Sequence, residues 1–514
     1  MAAGKKKVGL YRALGVAILA IFAVLNSLST VGKSGNESSR FATVQAVAEQ
    51  NTFAIERTVF RDTVDRIDNK RLDGHVYSDK PPFIAFAVGT ALKPVLAVTK
   101  WNFRDDRAKI VYLVDLCFGG GMNILIFWWL FNMFRRVRRG SVEAKFLLAL
   151  GSVMGSWLLS YSVVLNNHTP AALCVLGAYV ALWKFSRRPT YRAAAFAAAA
   201  CGFLGAMEIP GGAIFGLALV PALALASPKE RRVEYVLTGV CVVAFSALCV
   251  FTLNYIAYRR PLPLYLGRGG SFQPGIHDKS YLGYAAECLF TYRGVFSYQP
   301  FLLLAFPALW FCRKRLRAVE RIMLAATLLF TVFYLVMTNE YGGAAYGFRY
   351  LIPAIPVWSF AAGRFVLEIP KRGARIAVGA LAALLLLWGV VTSTVGAYFP
   401  FCYAYEGHHA PPGHFSRTVR STFGGNLLCW SYEHYPESAL TKALVRHYGE
   451  RPALEHLFWS FDNMRRLEGI REFYAARGIR DFNRYYLFRM TDGELRLWIR
   501  FARERGGVEK ASKP

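Results

Sequence analysis

Two short polar motifs hold most of the residues able to do chemistry: Asn36-Glu37-Ser38-Ser39-Arg40-Phe41, and Asp73-Gly74-His75-Val76-Tyr77-Ser78-Asp79-Lys80-Pro81-Pro82. Two more carboxylates, Asp62 and Asp65, lie between them. A carboxylate can take the proton of an incoming hydroxyl, and a fixed cation can hold an anionic leaving group. Lys80 is a compact point charge, whereas Arg293 and Arg349 each present a planar fork that grips two phosphate oxygens at once. Such a set suits displacement of a phosphate from an anomeric carbon, where positive charge develops on the sugar and negative charge on the departing phosphate. Asn167 and His168, at the outer end of an apolar run, are further candidates for substrate contact. Asp115 and Glu208 fall within or at the edge of apolar runs, where an ionisable group is costly and therefore suspect. Each has a plainer reading: a solvated loop acid for Glu37, a headgroup lysine for Lys80, a snorkelling side chain for His168 and Asp115, and a span terminus for Glu208.

The elements that must position these residues belong to a membrane protein. The chain has 514 residues, 54% hydrophobic and 15% aromatic, which is more apolar surface than one soluble core can hide. Eleven apolar runs of spanning length begin near Val8, Ile110, Lys145, Pro170, Ala193, Gly211, Val233, Gln299, Ile322, Tyr350 and Ile376. The net charge of +29 is spread as short basic clusters between them, including Arg135 to Arg139, Arg187-Arg188 and Arg313 to Arg317. That pattern reads as topology determination rather than nucleic-acid binding, and it places the clusters and the N-terminus in the cytoplasm. The run from Phe83 to Val98 is short and carries Lys93-Pro94, so it reads as an interfacial or re-entrant helix.

The first outer loop, residues 30–101, is then too long for a connector, and loops of that size are usually functional. Phe41 to Gln50 can form a short helix within it, with Gly74 and Pro81-Pro82 as turn signals. The expected architecture is an all-α polytopic membrane protein with about eleven transmembrane helices and a large first extracytoplasmic loop of amphipathic helices. Residues 1–397 form the membrane domain, and 398–514 a small extracytoplasmic, soluble or interfacial domain. Nine cysteines show no CxxC or zinc-ligand spacing, and the His408-His409-x4-His414 cluster matches no zinc pattern, so no metal ligands are assigned. No glycine-rich phosphate loop follows a strand.

The two motifs resemble the GT-C glycosyltransferases, multispanning enzymes that take a sugar from a polyprenyl phosphate carrier. The likeness is to the bacterial branch with protein O-mannosyltransferases and the lipid A aminoarabinose transferase. There an acidic motif followed by Arg and an aromatic caps the first span, matched by Glu37, Arg40 and Phe41. An acidic-Lys-Pro-Pro motif before a membrane-skimming helix is matched by Asp79, Lys80, Pro81 and Pro82. The resemblance implies that Glu37 is the base and Lys80 the phosphate ligand. The family's Asp-Glu pair is here Glu37-Ser38, so Asp62 and Asp65 stay open as alternative bases. Gly342 to Tyr350 is similar to an outer-loop motif of related proteins and brings Arg349 into the candidate site.

The resemblance implies a hexosyl- or pentosyltransferase that inverts the anomeric centre, in the inner membrane, with its site facing the periplasm. The partners are a polyprenyl-phosphate-sugar donor, membrane lipids and a glycan, lipid or protein acceptor, with no nucleic acid. No cofactor is required, and a divalent metal ion stays open. The alternatives are a secondary transporter or flippase using Asp115 and Glu208 near midplane, and a noncatalytic scaffold.

Overall fold

The computed structural model describes residues 2–28, 35–61, 64, 68–266, 280–291, 293–312, 314–338, 342, 345–398, 400, 423–460, 491–493 and 496. Helix α1 (Ala2–Asn26) leads into α2 (Gly35–Gln50), then a hairpin of β1 (Asn69–Leu72) and β2 (His75–Ser78), then α3 (Pro82–Thr99). Helix α4 (Arg107–Val114) passes through a π-helical turn, Asp115–Gly120, into α5 (Gly121–Arg135). Next come α6 (Val142–Met154), α7 (Trp157–Ser160), α8 (His168–Phe185), α9 (Tyr191–Met207), α10 (Ile209–Ala226) and α11 (Arg232–Tyr258). The bundle continues with α12 (Tyr281–Phe290), α13 (Val295–Tyr298), α14 (Ala305–Phe311), α15 (Ala318–Met337), α16 (Ile355–Glu368) and α17 (Arg372–Tyr398).

Among the described residues, eight helices are long and apolar enough to cross a bilayer. A ninth follows if the bent pair Tyr281–Tyr298 and Pro300–Phe311, set at 97°, is one broken span. Every apolar run counted in the sequence is helical, yet the two sets differ. Length and composition admit α3, which the sequence reading kept at the surface; they leave out α6 and α9, at 13 and 17 residues, and also α8. Helices α11 and α17 turn Val233, Leu237, Phe245, Leu248, Ile376, Leu384 and Leu387 outward, the apolar exterior that a multi-pass membrane protein needs.

The basic clusters gather at one end of the bundle. Lys7 pairs with Glu143, Arg12 bonds Asn132, and Arg139 donates to the Glu368 carbonyl at 3.3 Å. At the opposite end the Tyr112 hydroxyl donates to the Val24 carbonyl at 2.7 Å, tying the C-terminal end of α1 to α4. Past α17, helix Phe423–His434 packs back on it through Asn426 Nδ2, which donates to the Val395 carbonyl at 3.3 Å. His408, His409 and His414 lie outside the described residues.

Candidate active site

Helix α2 is sunk into the bundle instead of lying on it. Glu37, Ser38, Ser39, Phe41, Ala42, Val44 and Ala46 are all fully buried, with Phe41 against Phe60 and Phe60 against Phe103. Glu37 sits in the first turn, where the helix dipole favours negative charge. Its Oε1 accepts the Leu165 N–H at 3.3 Å. One turn on, Arg40 donates from Nη2 to Asn167 Oδ1 at 2.7 Å and from Nη1 to the Asn36 carbonyl at 3.2 Å. Asn167 in turn donates to the Met207 carbonyl at 3.1 Å, so α2 is locked to the α9–α10 junction. Burial, and then the nearby Arg349 guanidinium, lower the Arg40 pKa to about 10, against the pull of Asp68, Asp79 and Glu37.

The hairpin delivers the second motif. Asp73 and Gly74 form its turn with φ of 50° and 83°, the left-handed pair that a two-residue Asp-Gly loop supplies. Beyond the ladder pair Asn69 and Ser78, the Asp79 N–H donates to the Asp68 carbonyl at 3.2 Å, which sets Asp68 opposite Asp79. Lys80 Nζ lies 2.7 Å from Asp68 Oδ1 and 2.9 Å from Asp79 Oδ1. Ser39 ties this cluster to α2, with its Oγ 2.5 Å from Ser78 Oγ and donating to the Asp68 carbonyl at 2.7 Å. From α11 the Tyr258 hydroxyl donates to the Lys80 carbonyl at 3.1 Å. Burial acts to lower the Lys80 pKa, but Asp68 and Asp79 outweigh it and the ammonium ends above its ordinary range. Burial pushes the Asp79 carboxyl up, against Lys80.

Two residues suspected because an ionisable group in an apolar run is costly, Asp115 and Glu208, join the site. Asp115 is fully buried at the start of the π-helical turn, within electrostatic reach of Glu37. The Leu165 N–H stands between the two carboxylates, donating to Glu37 Oε1 at 3.3 Å and facing Asp115. Gly119 allows this approach: a Cβ there would stand 1.8 Å from the Ser162 carbonyl oxygen. The snorkelling reading of Asp115 is therefore replaced by burial against Glu37. Glu208 does terminate α9, and it also bonds His168 Nδ1 and accepts from the Tyr334 hydroxyl at 3.0 Å. His168, a candidate for substrate contact whose plainer reading was a snorkelling side chain, is buried there, with its ring 5.8 Å from that of Tyr350. Tyr350 stacks on Tyr334 at 5.0 Å and carries Arg349 at 5.7 Å from its ring centre. Arg349 is thereby within electrostatic reach of both His168 and Arg40.

The structure thus brings Glu37, Arg40, Asp79, Lys80, Asn167, His168 and Arg349 into one connected cluster. Arg293 approaches through its backbone, its carbonyl accepting the Phe348 N–H at 3.2 Å. Asp62 and Asp65 lie outside the described residues. Asp68 and Tyr334 belong to the cluster without having been singled out in the sequence. The Asp-Gly turn was the signal for Asp68, because a two-residue hairpin loop fixes its register. Among the described residues, no group of three or more His, Cys, Asp or Glu could hold a metal ion.

No protein-family model and no curated protein matches the sequence. Among solved structures, ArnT from Cupriavidus metallidurans bound to undecaprenyl phosphate aligns with TM-score 0.50 and 13% identity, over 85% of this chain and 74% of that one. The chain shares the fold of ArnT. Its apo form aligns at TM-score 0.49 and 16% identity over 88% and 75%. The Archaeoglobus fulgidus oligosaccharyltransferase in complex with Zn and sulfate aligns at 0.43 and 13%, over 85% and 57%. The likeness to ArnT lies in the arrangement of helices along most of the chain.

Proposed function

We propose that this protein is a membrane glycosyltransferase that moves a sugar from a polyprenyl-phosphate-linked donor to a glycan, lipid or protein acceptor on the extracytoplasmic face. The observation that carries this reading is the convergence of Glu37 with Arg40, Lys80 and Arg349 at the end of the bundle remote from the basic clusters. ArnT, whose fold the chain shares, was solved with undecaprenyl phosphate, which supports a lipid-phosphate carrier here. In this mechanism Glu37 takes the proton from the acceptor hydroxyl as that oxygen attacks the anomeric carbon. The guanidinium groups of Arg40 and Arg349 and the Lys80 ammonium receive the charge growing on the departing phosphate. Two of the three Lys80 N–H donors face Asp68 and Asp79, which leaves one for a phosphate oxygen. A single direct displacement inverts the anomeric centre.

A transporter would use Asp115 and Glu208 at midplane, yet Asp115 neighbours Glu37, and Glu208 bonds His168 within the same cluster. The test is sugar transfer from a polyprenyl phosphate donor by purified wild type, Glu37→Gln and Lys80→Ala. Transfer at the wild-type rate in both variants rejects this site.

A further inference from the structure

At the basic end of the bundle, three exposed arginines rest on neutral anchors, with no carboxylate ion pair among the described residues. Arg187, just past α8, lies with its guanidinium carbon 4.0 Å from the centre of the Trp183 ring, and Arg136, just past α5, lies 5.3 Å from the same ring. Trp183 is buried, so the indole is a fixed platform for both cations. Arg317, ahead of α15, donates from Nη1 to Ser186 Oγ at 3.1 Å. Each anchor is neutral. The carboxylate within reach, Glu320, is already committed, with Oε1 on Arg364 and Oε2 accepting the Arg317 backbone N–H at 2.7 Å. Glu368 is held by Arg364 as well, at 2.9 Å. The three cations therefore repel one another, and the Arg187 pKa is lowered by partial burial and then by Arg317 and Arg136.

We propose that Arg136, Arg187 and Arg317 form a phosphate-binding site that takes the headgroup phosphate of an anionic phospholipid from the leaflet on this side. Like charges held together by neutral anchors are relieved by an anion, and planar guanidinium forks suit phosphate oxygens. Basic pockets between transmembrane helices bind anionic headgroups for this reason. The source is a lipid because the site stands at interfacial depth. Beside it Tyr191, 44% exposed, packs on Tyr235 at 4.8 Å, and Tyr235 donates to the Pro189 carbonyl at 3.4 Å, which gives the aromatic rim of a membrane-water boundary.

Native mass spectrometry of the full chain in detergent tests the site with added phosphatidylglycerol. Wild type is expected to retain bound phosphatidylglycerol and not phosphatidylcholine. Arg136→Gln with Arg187→Gln is expected to weaken retention about tenfold or more. The charge-matched control, Arg138→Gln with Arg188→Gln, removes two arginines that are equally exposed but outside the Trp183 stack, and is expected to change it no more than about twofold. Equal losses in the two double variants, or no loss in either, overturn the proposal. Displacement of phosphatidylglycerol by excess inorganic phosphate overturns the lipid assignment. If the first double variant does not fold, Arg187→Lys carries the test: it keeps the charge and loses the stacked fork, and undiminished retention sinks the idea.

Discussion

Two clusters each place one cation between two carboxylates, in opposite settings. At the basic end, Arg364 sits between Glu320 and Glu368; at the other end, Lys80 sits between Asp68 and Asp79. Arg364 belongs to α16 and meets Glu320 on α15 and Glu368 one turn along its own helix, so the charges pin two helices together. Its remaining fork donates to the Arg315 carbonyl at 3.0 Å. Lys80 is a point charge on the segment between a hairpin and a helix. Around it stand two more cations, Arg40 and Arg349, and beyond them the carboxylates Glu37 and Asp115. One cation between two carboxylates is thus a rivet in the first case and part of a larger charged chamber in the second. Composition does not separate the two; what lies within the next few ångströms does.

Substitutions can break that comparison from either side. Glu37→Gln is expected to lower sugar transfer about 10²- to 10⁴-fold, the range for losing a general base, with thermal unfolding little changed. Arg364→Leu should do the reverse, destabilising the protein by about 3–5 kcal/mol because Glu320 stays buried without its cation. Activity per folded molecule is expected to persist in Arg364→Leu, and a collapse of turnover without a stability loss would erase the distinction. Gly119→Ala tests the junction between Asp115 and Glu37: its Cβ meets the Ser162 carbonyl, so a stability loss of about 1–3 kcal/mol is expected along with reduced transfer. The smallest effect is on pH. Because the Lys80 pKa is raised on folding, its ion pairs contribute stability that is fully present below the unfolded value of about 10.4 and lost as pH rises through the folded value. Melting curves between about pH 8 and pH 11 should therefore show an alkaline loss that Lys80→Ala lacks.

Local chemistry was legible in the sequence and long-range placement was not. The two first-loop motifs named Glu37, Arg40, Asp79 and Lys80, because short spacing and membrane proximity are visible in one stretch of chain. The hairpin was missed: Gly74 read as a turn, but β1, Asn-Lys-Arg-Leu, lacks the apolar alternation that marks a strand. Asp115 read as snorkelling, since no pattern marks a π-helical turn; only packing against Ser162 makes it turn inward. His168 and Glu208 lie 40 residues apart and meet because α8 and α9 form an antiparallel pair. Each was suspicious alone, and nothing in either stretch announced the bond.

The link from Arg40 to Asn167 has a consequence for the order of assembly. Its two ends are 127 residues apart, and the Glu37 contact with Leu165 spans 128. Synthesis proceeds from the N-terminus, so α2 emerges well before the chain that will cover it. Until α8 and α9 arrive, an acidic and arginine-bearing helix with a strongly apolar flank must wait uncovered beside the bilayer. Insertion of α8 and the helices after it therefore completes the first loop, and a nascent chain arrested before residue 165 should leave that loop open to protease.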